Sequence, residues 1–146
     1  MMNFPRDFKD LLRLLNAHCV RYAIVGGYAV AYHGHPRFTG DLDILAYPSR
    51  ENAERLLESL GEFGFHSFGL EIEDFLEPGR VVQLGVPPLR IDLISSIDGV
   101  SNEDVFAHLV VEDSEEGPLC FIGLQQLIAN KKAANRPRDL ADLENL

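Results

Sequence analysis

Cysteine is scarce in this sequence, which contains only Cys19 and Cys120 among 146 residues. The two lie far apart and form no CxxC pair, which excludes a disulfide framework and a cysteine-based zinc site. Both have apolar neighbours in the sequence, so we expect two buried free thiols. This usage fits a protein of the reducing cytoplasm.

Long hydrophobic runs are also missing. No apolar segment approaches the roughly 20 residues that a membrane helix needs. Acidic residues interrupt the N-terminal segment MMNFPRDFKDLLRLL before the apolar core of a signal peptide could form. We therefore expect a cytoplasmic protein with no membrane partner.

Positive charge is the third shortage, because 13 lysines and arginines face 23 aspartates and glutamates and leave a net charge of −10. A chain this acidic lacks the electrostatic footprint of a general nucleic-acid binder. The acidity suits cation binding, although solubility alone explains it equally well. No Gly-x-Ser-x-Gly or Cys/His arrangement indicates a covalent nucleophile.

The residues that are present alternate between helical and strand patterns. Helical spacing of apolar residues predicts helices over 5–18, 28–33, 51–63, 102–109, 123–135 and from 137 onward. Strands are predicted over 21–25, 41–46, 81–86, 89–95, 110–111 and 119–122, with a helical turn over 72–76. The length fits one domain over residues 1–146. We expect an α/β (α+β) fold with a small mixed sheet and helices mainly on one side.

The C-terminal helices, about 123–146, are expected to pack on this domain. In the last of them, Leu140, Leu143 and Leu146 are predicted to form the buried face.

Asp41 and Asp43 stand two residues apart on a predicted strand, so their side chains share one face at roughly 6.5 to 7 Å. Leu42 and Ile44 then point to the opposite face and into the core. Two carboxylates held side by side repel each other unless a cation bridges them. An oxygen-rich site of this kind favours Mg²⁺ or Mn²⁺ over zinc.

A third carboxylate is available on the predicted strand over 89–95, where Arg90 and Asp92 share one face and Ile91 and Leu93 the other. If this strand pairs with the first, Asp92 lies roughly 5 Å or a little more from one of the two aspartates. Three converging carboxylates can hold two Mg²⁺ ions. Asp92 is also placed to act as a base toward an acceptor hydroxyl.

Gly26 and Gly27 follow a predicted strand and precede a predicted helix. Glycines let the backbone turn sharply and approach a ligand closely, and the helix offers free N–H groups with its positive dipole end. The pair therefore predicts a phosphate-binding turn. His33 and His35 have no third nitrogen or sulfur ligand, so we expect structural roles for them.

The stretch from Val25 to Ile44, VGGYAVAYHGHPRFTGDLDI, resembles the signature of the DNA polymerase β-like nucleotidyltransferase superfamily. It is closest to the small branch that includes abortive-infection toxin-type (AbiEii-like) nucleotidyltransferases. The run from Leu127 to Leu143, LIANKKAANRPRDLADL, also resembles that branch, in which a lysine and a later RPKDLxDL run recur. With the Asp92 strand, these segments span most of the chain.

The resemblance implies a nucleotidyltransferase fold and the transfer of a nucleoside monophosphate from an NTP, with release of pyrophosphate. Asp41 and Asp43 would bind both metal ions, and Asp92 would complete the site. The acceptor would be an RNA end such as tRNA, or a protein, in a toxin–antitoxin or phage-defence setting with a cognate antitoxin.

The nucleotide-binding residues implied by position are Gly26, Gly27, Arg37, Thr39 and Lys131. Lys132 is the alternative to Lys131, and Asp139 and Asp142 would orient the lysine. Capping or a surface ion pair explains Arg37 and Thr39 nearly as well. Charges that complement helix dipoles explain Lys131 and Asp139 nearly as well.

Two further functions stay open. The wider superfamily has Gly-Ser at the phosphate turn, and Gly27 stands here in place of that serine, which leaves a degenerate nucleotide- or partner-binding module as an alternative. A small-molecule nucleotidyltransferase of the antibiotic-modifying type is the other. A local basic cleft that could bind one RNA end would be formed by Arg37, Arg90, Lys131, Lys132, Arg136 and Arg138.

Overall fold

The computed structural model describes residues 4–34, 36, 39–64, 69–86 and 89–146. Within them the helices are α1 (Arg6–Ala17), α2 (Gly26–His33), α3 (Arg50–Phe63), α4 (Asn102–Ala107), α5 (Leu124–Ala134) and α6 (Pro137–Leu143). The strands are β1 (Tyr22–Val25), β2 (Asp41–Ala46), β3 (Val81–Val86), β4 (Leu89–Ile94), β5 (Val110–Glu112) and β6 (Leu119–Phe121). A short 3-10 turn spans Ile72–Phe75. Two residues of interest, Arg37 and His35, lie outside the described residues.

Local sequence signals explain several helix boundaries. The side chain of Ser49 accepts a hydrogen bond from the backbone N–H of Asn52, which caps the start of α3. The same helix ends at Gly64, whose φ of 109° is in the left-handed region that glycine tolerates. Pro5 precedes α1 as its N-cap and is not its first residue.

The six strands form one mixed sheet in the order β3-β4-β2-β1-β6-β5. Antiparallel pairs join β1 to β2, β3 to β4 and β5 to β6, whereas β2–β4 and β1–β6 are parallel. Strands β3 and β4 are antiparallel neighbours, and Pro87 and Pro88 between them lie outside the described residues. In the parallel pair, Asp43 stands opposite Asp92.

The two faces of the sheet differ in what covers them. Helices α1 and α3 pack on one face, where their leucines and phenylalanine form the larger core cluster with residues such as Ile44 and Leu93. On the other face, a smaller cluster includes Val25, Leu45 and Leu127. Asp43 and Asp92 lie on this second face, because side chains alternate along a strand. The predicted mixed α/β architecture is confirmed.

The buried face of α6 is not the predicted one. Leu140 is 50% exposed, whereas Asp139 and Asp142 are buried. Both aspartates bind the ammonium group of Lys131, with Nζ to Asp139 Oδ1 at 3.0 Å and to Asp142 Oδ2 at 3.2 Å. The prediction was wrong for Leu140, because the side of α6 that meets α5 carries this buried ion pair, whereas Leu146 packs against the smaller core cluster.

The prediction for the thiols also needs correction. Cys19 is exposed at the end of α1 and has a φ of 57°, while Cys120 is only partly buried. The chain turns into β1 at Cys19, so the helical spacing that suggested burial no longer applies there.

None of the helices in the described parts of the chain is long and apolar enough to cross a membrane.

The buried ion pair yields a stability prediction. We expect Lys131→Met to lower the free energy of unfolding by about 3 to 5 kcal/mol, because it removes the buried ammonium group that Asp139 and Asp142 share. Urea unfolding monitored by circular dichroism measures the change. Lys132 is exposed on the same helix, so Lys132→Met is the matched control, with an expected effect within about 0.5 kcal/mol. Equal losses in the two variants would contradict the role of the ion pair.

Candidate active site

Three carboxylates converge on the second face of the sheet. Asp41 and Asp43 come from β2, and Asp92 comes from the adjacent parallel strand β4, directly opposite Asp43. Leu42 and Ile44 point the other way and are fully buried. The strand pairing that the sequence argument needed is therefore present, and we call these three aspartates the carboxylate trio.

The glycine turn touches the carboxylate trio. Gly26 follows β1 with a φ of 66°, in the left-handed region. A Cβ atom at this position would collide with the carboxylate of Asp43. Val25 and Asp43 are partners in the antiparallel β1–β2 pair, which brings the turn to the carboxylate. Position 26 therefore requires glycine, because the backbone is left-handed and because there is no room for a Cβ atom.

Arg90 binds two members of the trio. Its Nε donates to Asp92 Oδ1 at 2.9 Å, and its Nη2 donates to Asp92 Oδ2 at 3.2 Å and to Asp41 Oδ2 at 3.1 Å. Both contacts follow from the sheet, because Arg90 shares a face with Asp92 and is the strand partner of Asp41. The side chain of Arg90 remains 28% exposed.

Asp43 responds most strongly to this environment. Burial raises the pKa of its carboxyl group from 3.8 to about 6, with repulsion from Asp92, a hydrogen bond to Asp92 and repulsion from Asp41 acting in the same direction. The positive charge of Arg138 opposes the rise in pKa. A carboxyl group that is hard to ionise without a counter-charge marks a place where a cation is favoured.

Asp139 shows the opposite balance. Burial alone would raise its pKa, but hydrogen bonds from Arg136 and Lys131 lower it to about 2. Arg136 donates from Nε to Asp139 Oδ2 at 2.6 Å. Asp139 therefore stays ionised and holds both cations at the edge of the site.

Two cavities meet at the trio. The smaller, about 110 Å³, is strongly polar, and its lining comprises Gly26, Gly27, Thr39, Asp41, Asp43, Arg90, Asp92, Lys131, Arg136 and Arg138. The larger, about 380 Å³, is lined by both polar and apolar residues. The two share Gly26, Asp43, Lys131 and Arg136. The smaller cavity has the size and polarity for phosphate groups and a cation, and the larger has room for a nucleoside or an acceptor.

The other predicted residues have the following positions. Thr39 lines the small cavity and donates from its hydroxyl to the backbone carbonyl of Asp41 at 3.2 Å. Lys131 reaches both cavities, and Asp139 and Asp142 hold its ammonium group. Lys132, in contrast, is exposed.

Outside the cavities, His33 has the structural role expected of it. Its Nε2 donates to the carbonyl of Ile122 at 2.7 Å and ties α2 to the segment after β6. Arg37, the remaining predicted nucleotide contact, is outside the described residues.

Several lining residues escaped the sequence argument. Ser96, Asp98 and Asn130 border the larger cavity. The first two lie in the connection after β4, where no periodic pattern exists to orient them. The bridge from Arg90 to Asp41 was also missed, because it depends on the register between β2 and β4.

The chemistry of the trio fits a hard divalent cation, since its donors are all carboxylate oxygens. The elevated pKa of Asp43 adds to this fit. Within the described residues, however, no group of three or more His, Cys, Asp or Glu side chains has the arrangement of a ready-made metal site. In the structure, Arg90 engages Asp41 and Asp92.

The mixed six-stranded sheet with its helices is a nucleotidyltransferase-like fold, as predicted. Among solved structures, the chain resembles one described as a putative nucleotidyltransferase from Thermotoga maritima. The TM-score is 0.59 at 13% sequence identity, over 95% of this chain and 85% of that one. No protein-family model and no curated protein matches the sequence. Similarity at this level of identity shows the fold alone.

The contact between Gly26 and Asp43 can be tested against a glycine with nearly the same backbone. Gly69 has a φ of 68°, and a Cβ there would meet nothing within 4 Å. We expect Gly69→Ala to cost about 1 to 2 kcal/mol from the left-handed backbone alone. Gly26→Ala should cost about 1 to 3 kcal/mol more, because its methyl group overpacks against the carboxylate. Urea unfolding of both variants measures the difference, and equal costs would contradict the contact.

Asp43 should make the metal-free protein sensitive to pH. Its folded pKa lies above the unfolded value, so the folded state binds the extra proton and the free energy of unfolding falls as pH rises from about 4 through 6. In EDTA at pH 7, Asp43→Asn should raise the free energy of unfolding by about 1 to 3 kcal/mol, and this gain should vanish near pH 4.

Urea unfolding across this pH range tests the prediction. Asp113→Asn removes the same charge from an exposed site and serves as the control, with no comparable gain expected. A gain that did not change between pH 4 and 7 would refute the assigned pKa.

Proposed function

We propose that this protein is a Mg²⁺-dependent nucleotidyltransferase that transfers a nucleoside monophosphate from an NTP to an acceptor and releases pyrophosphate. The observation that carries the proposal is the pairing of Asp43 with Asp92 on adjacent parallel strands, with Gly26 packed against Asp43. Carboxylates next to a glycine turn at a helix N-terminus suit a metal-bound polyphosphate. The fold supports the same class of enzyme.

The carboxylate trio would hold Mg²⁺, or Mn²⁺ as the alternative. When bound, the ions would neutralise phosphate charge and lower the pKa of the attacking hydroxyl. Asp92 would accept the proton of that hydroxyl as its oxygen bonds to the α-phosphorus. The bond from the α-phosphorus to the bridging oxygen then breaks, and pyrophosphate carries away the electron pair.

Phosphate binding would fall to the small polar cavity. Gly26 and Gly27 begin α2, so their backbone can approach a phosphate group and present N–H donors of the helix N-terminus. Lys131 and Arg136 border the same cavity. The lysine would bind a phosphate as a point charge, and the arginine would bind it through two parallel hydrogen bonds. Arg138, which lowers the pKa of Asp43 through its charge, joins them. The larger cavity would receive the nucleoside.

The acceptor is proposed from the motif resemblance. The abortive-infection branch makes an RNA end or a protein the first choice, in a cytoplasmic toxin–antitoxin setting with a cognate antitoxin as partner. A net charge of −10 disfavours a broad RNA surface, but the basic residues gathered at the small cavity suit a single RNA end. A small molecule is the alternative acceptor.

A binding module without turnover is the second candidate, and two observations favour it. Arg90 occupies carboxylate oxygens that a metal would need, and Gly27 lacks the serine hydroxyl of the wider superfamily. Such a module would bind a nucleotide or a partner protein and transfer nothing.

Transfer can be tested by incubating the protein with each α-³²P-labelled NTP, Mg²⁺, total cell RNA and cell protein. We expect labelled RNA or protein and a matching release of pyrophosphate. Asp43→Asn should reduce both by at least about 100-fold, which is about 2.7 kcal/mol of transition-state stabilisation. Asp113→Asn is the charge-matched control and should keep wild-type activity.

The distribution of label separates the alternatives. Label in a small-molecule fraction would favour the antibiotic-modifying type. Calorimetric binding of NTP with Mg²⁺, but no label and no pyrophosphate, would favour the binding module. Transfer that persists in Asp43→Asn would reject the proposed site.

A further inference from the structure

Arg90 differs from Lys131 and Arg136 in the partners it binds. Lys131 and Arg136 are held by Asp139, which lies on α6 and outside the carboxylate trio. Arg90 instead binds Asp41 and Asp92, two members of the trio itself. Its charge therefore sits where a metal ion would have to act.

The contacts of Arg90 consume much of the trio's capacity to bind a metal. Both oxygens of Asp92 and one oxygen of Asp41 accept hydrogen bonds from the guanidinium, so three of the trio's six carboxylate oxygens are engaged. Charge-assisted, forked hydrogen bonds of this kind are the strong class. A divalent cation at those oxygens would lie next to the positive charge of the guanidinium, so the two cations repel each other and compete for the same carboxylates.

Arg90 also faces the place where phosphate groups would lie. It lines the small cavity together with Gly26 and Thr39, at the N-terminal end of α2. A guanidinium recognises phosphate in the same forked manner as carboxylate. Arg90 thus stands between two kinds of partner, the carboxylates that hold it now and an anion that could replace them.

We propose that Arg90 is a built-in counter-ion of the carboxylate trio, which Mg²⁺ must displace and which then binds the phosphates of the NTP. This inference rests on the proposed nucleotidyltransferase function. It makes free Mg²⁺ a weak ligand, because the ion must break the contacts of Arg90 with Asp41 and Asp92. It makes Mg²⁺ with NTP a strong one, because the phosphates offer the displaced guanidinium a new partner. Metal and nucleotide therefore load together, as coupled ligands.

Calorimetric titration of MgCl₂ into the metal-free protein, at constant ionic strength and without nucleotide, tests the first half. Arg90→Gln should bind Mg²⁺ at least tenfold more tightly than the wild type, since the competitor is gone.

A second titration uses an NTP analogue with a methylene bridge between the α- and β-phosphorus, at saturating Mg²⁺. Here Arg90→Gln should bind at least fivefold more weakly. Opposite signs are the diagnostic result, because a merely structural arginine would weaken both ligands when removed.

Arg80→Gln is the matched control. Arg80 pairs with Asp74 and Glu77 at the surface, so its loss changes the net charge equally but leaves the trio untouched. We expect both affinities within twofold of wild type. Arg90→Lys keeps the charge but not the fork, and should shift both affinities in the same directions by smaller factors. It provides the test if Arg90→Gln fails to fold.

Failure of this inference can be told apart from failure of the proposed function. If wild-type protein binds Mg²⁺, Asp43→Asn does not, and Arg90→Gln binds no more tightly, then Arg90 is no competitor and the function stands. Weaker binding of both ligands by Arg90→Gln also overturns the inference. If neither wild type nor Arg90→Gln binds Mg²⁺ at millimolar concentration, the metal site and the inference fall together.

Discussion

Repulsion among three carboxylates on one sheet face is the constraint to which the rest of the site responds. Asp43 and Asp92 face each other across a parallel strand pair, and Asp41 lies on the same face two residues before Asp43. Burial and these neighbours raise the pKa of Asp43 to about 6, which expresses the cost of holding the charges together. Proteins place such a cost where a ligand can relieve it.

Opposite charge is distributed around the trio in two ways. Arg90 contacts the carboxylates directly, whereas Lys131 is anchored to Asp139 and Asp142, and Arg136 to Asp139, on the C-terminal helix. Asp139, which holds both Lys131 and Arg136, stays ionised because its pKa is lowered to about 2. An acidic chain with a net charge of −10 thereby keeps a basic lining in one small cavity. The same small cavity can then bind both a cation and a polyphosphate.

Gly26 joins the fold to this chemistry. Its left-handed backbone ends β1 and starts α2, and its missing side chain leaves the space that the Asp43 carboxylate fills. The turn, the helix N-terminus and the trio are consequently one unit. The helices α1 and α3 pack on the opposite face in the larger core cluster, and the site face carries the smaller one beside the charged residues.

Much of this arrangement was predictable from the sequence. The period-two pattern of β2 and β4 assigned the aspartates to one face and Leu42 and Ile44 to the core, as observed. The structural role expected of His33 is also observed. The predictions for Leu140 and Cys19 failed, because helical periodicity cannot tell which side of a helix will meet a buried ion pair or where a chain turns.

The sequence alone determined which residues form strands and helices, which side chains share a face, and that a glycine turn precedes an Asp-x-Asp strand. These properties depend on neighbours within a few residues, so spacing and backbone preference suffice. Only the tertiary structure decided that β4 pairs with β2 in the register that sets Asp92 opposite Asp43 and Arg90 beside Asp41. It also decided that α6 turns its aspartates toward Lys131. Such long-range choices depend on the packing of the whole sheet and on charges far apart in the chain.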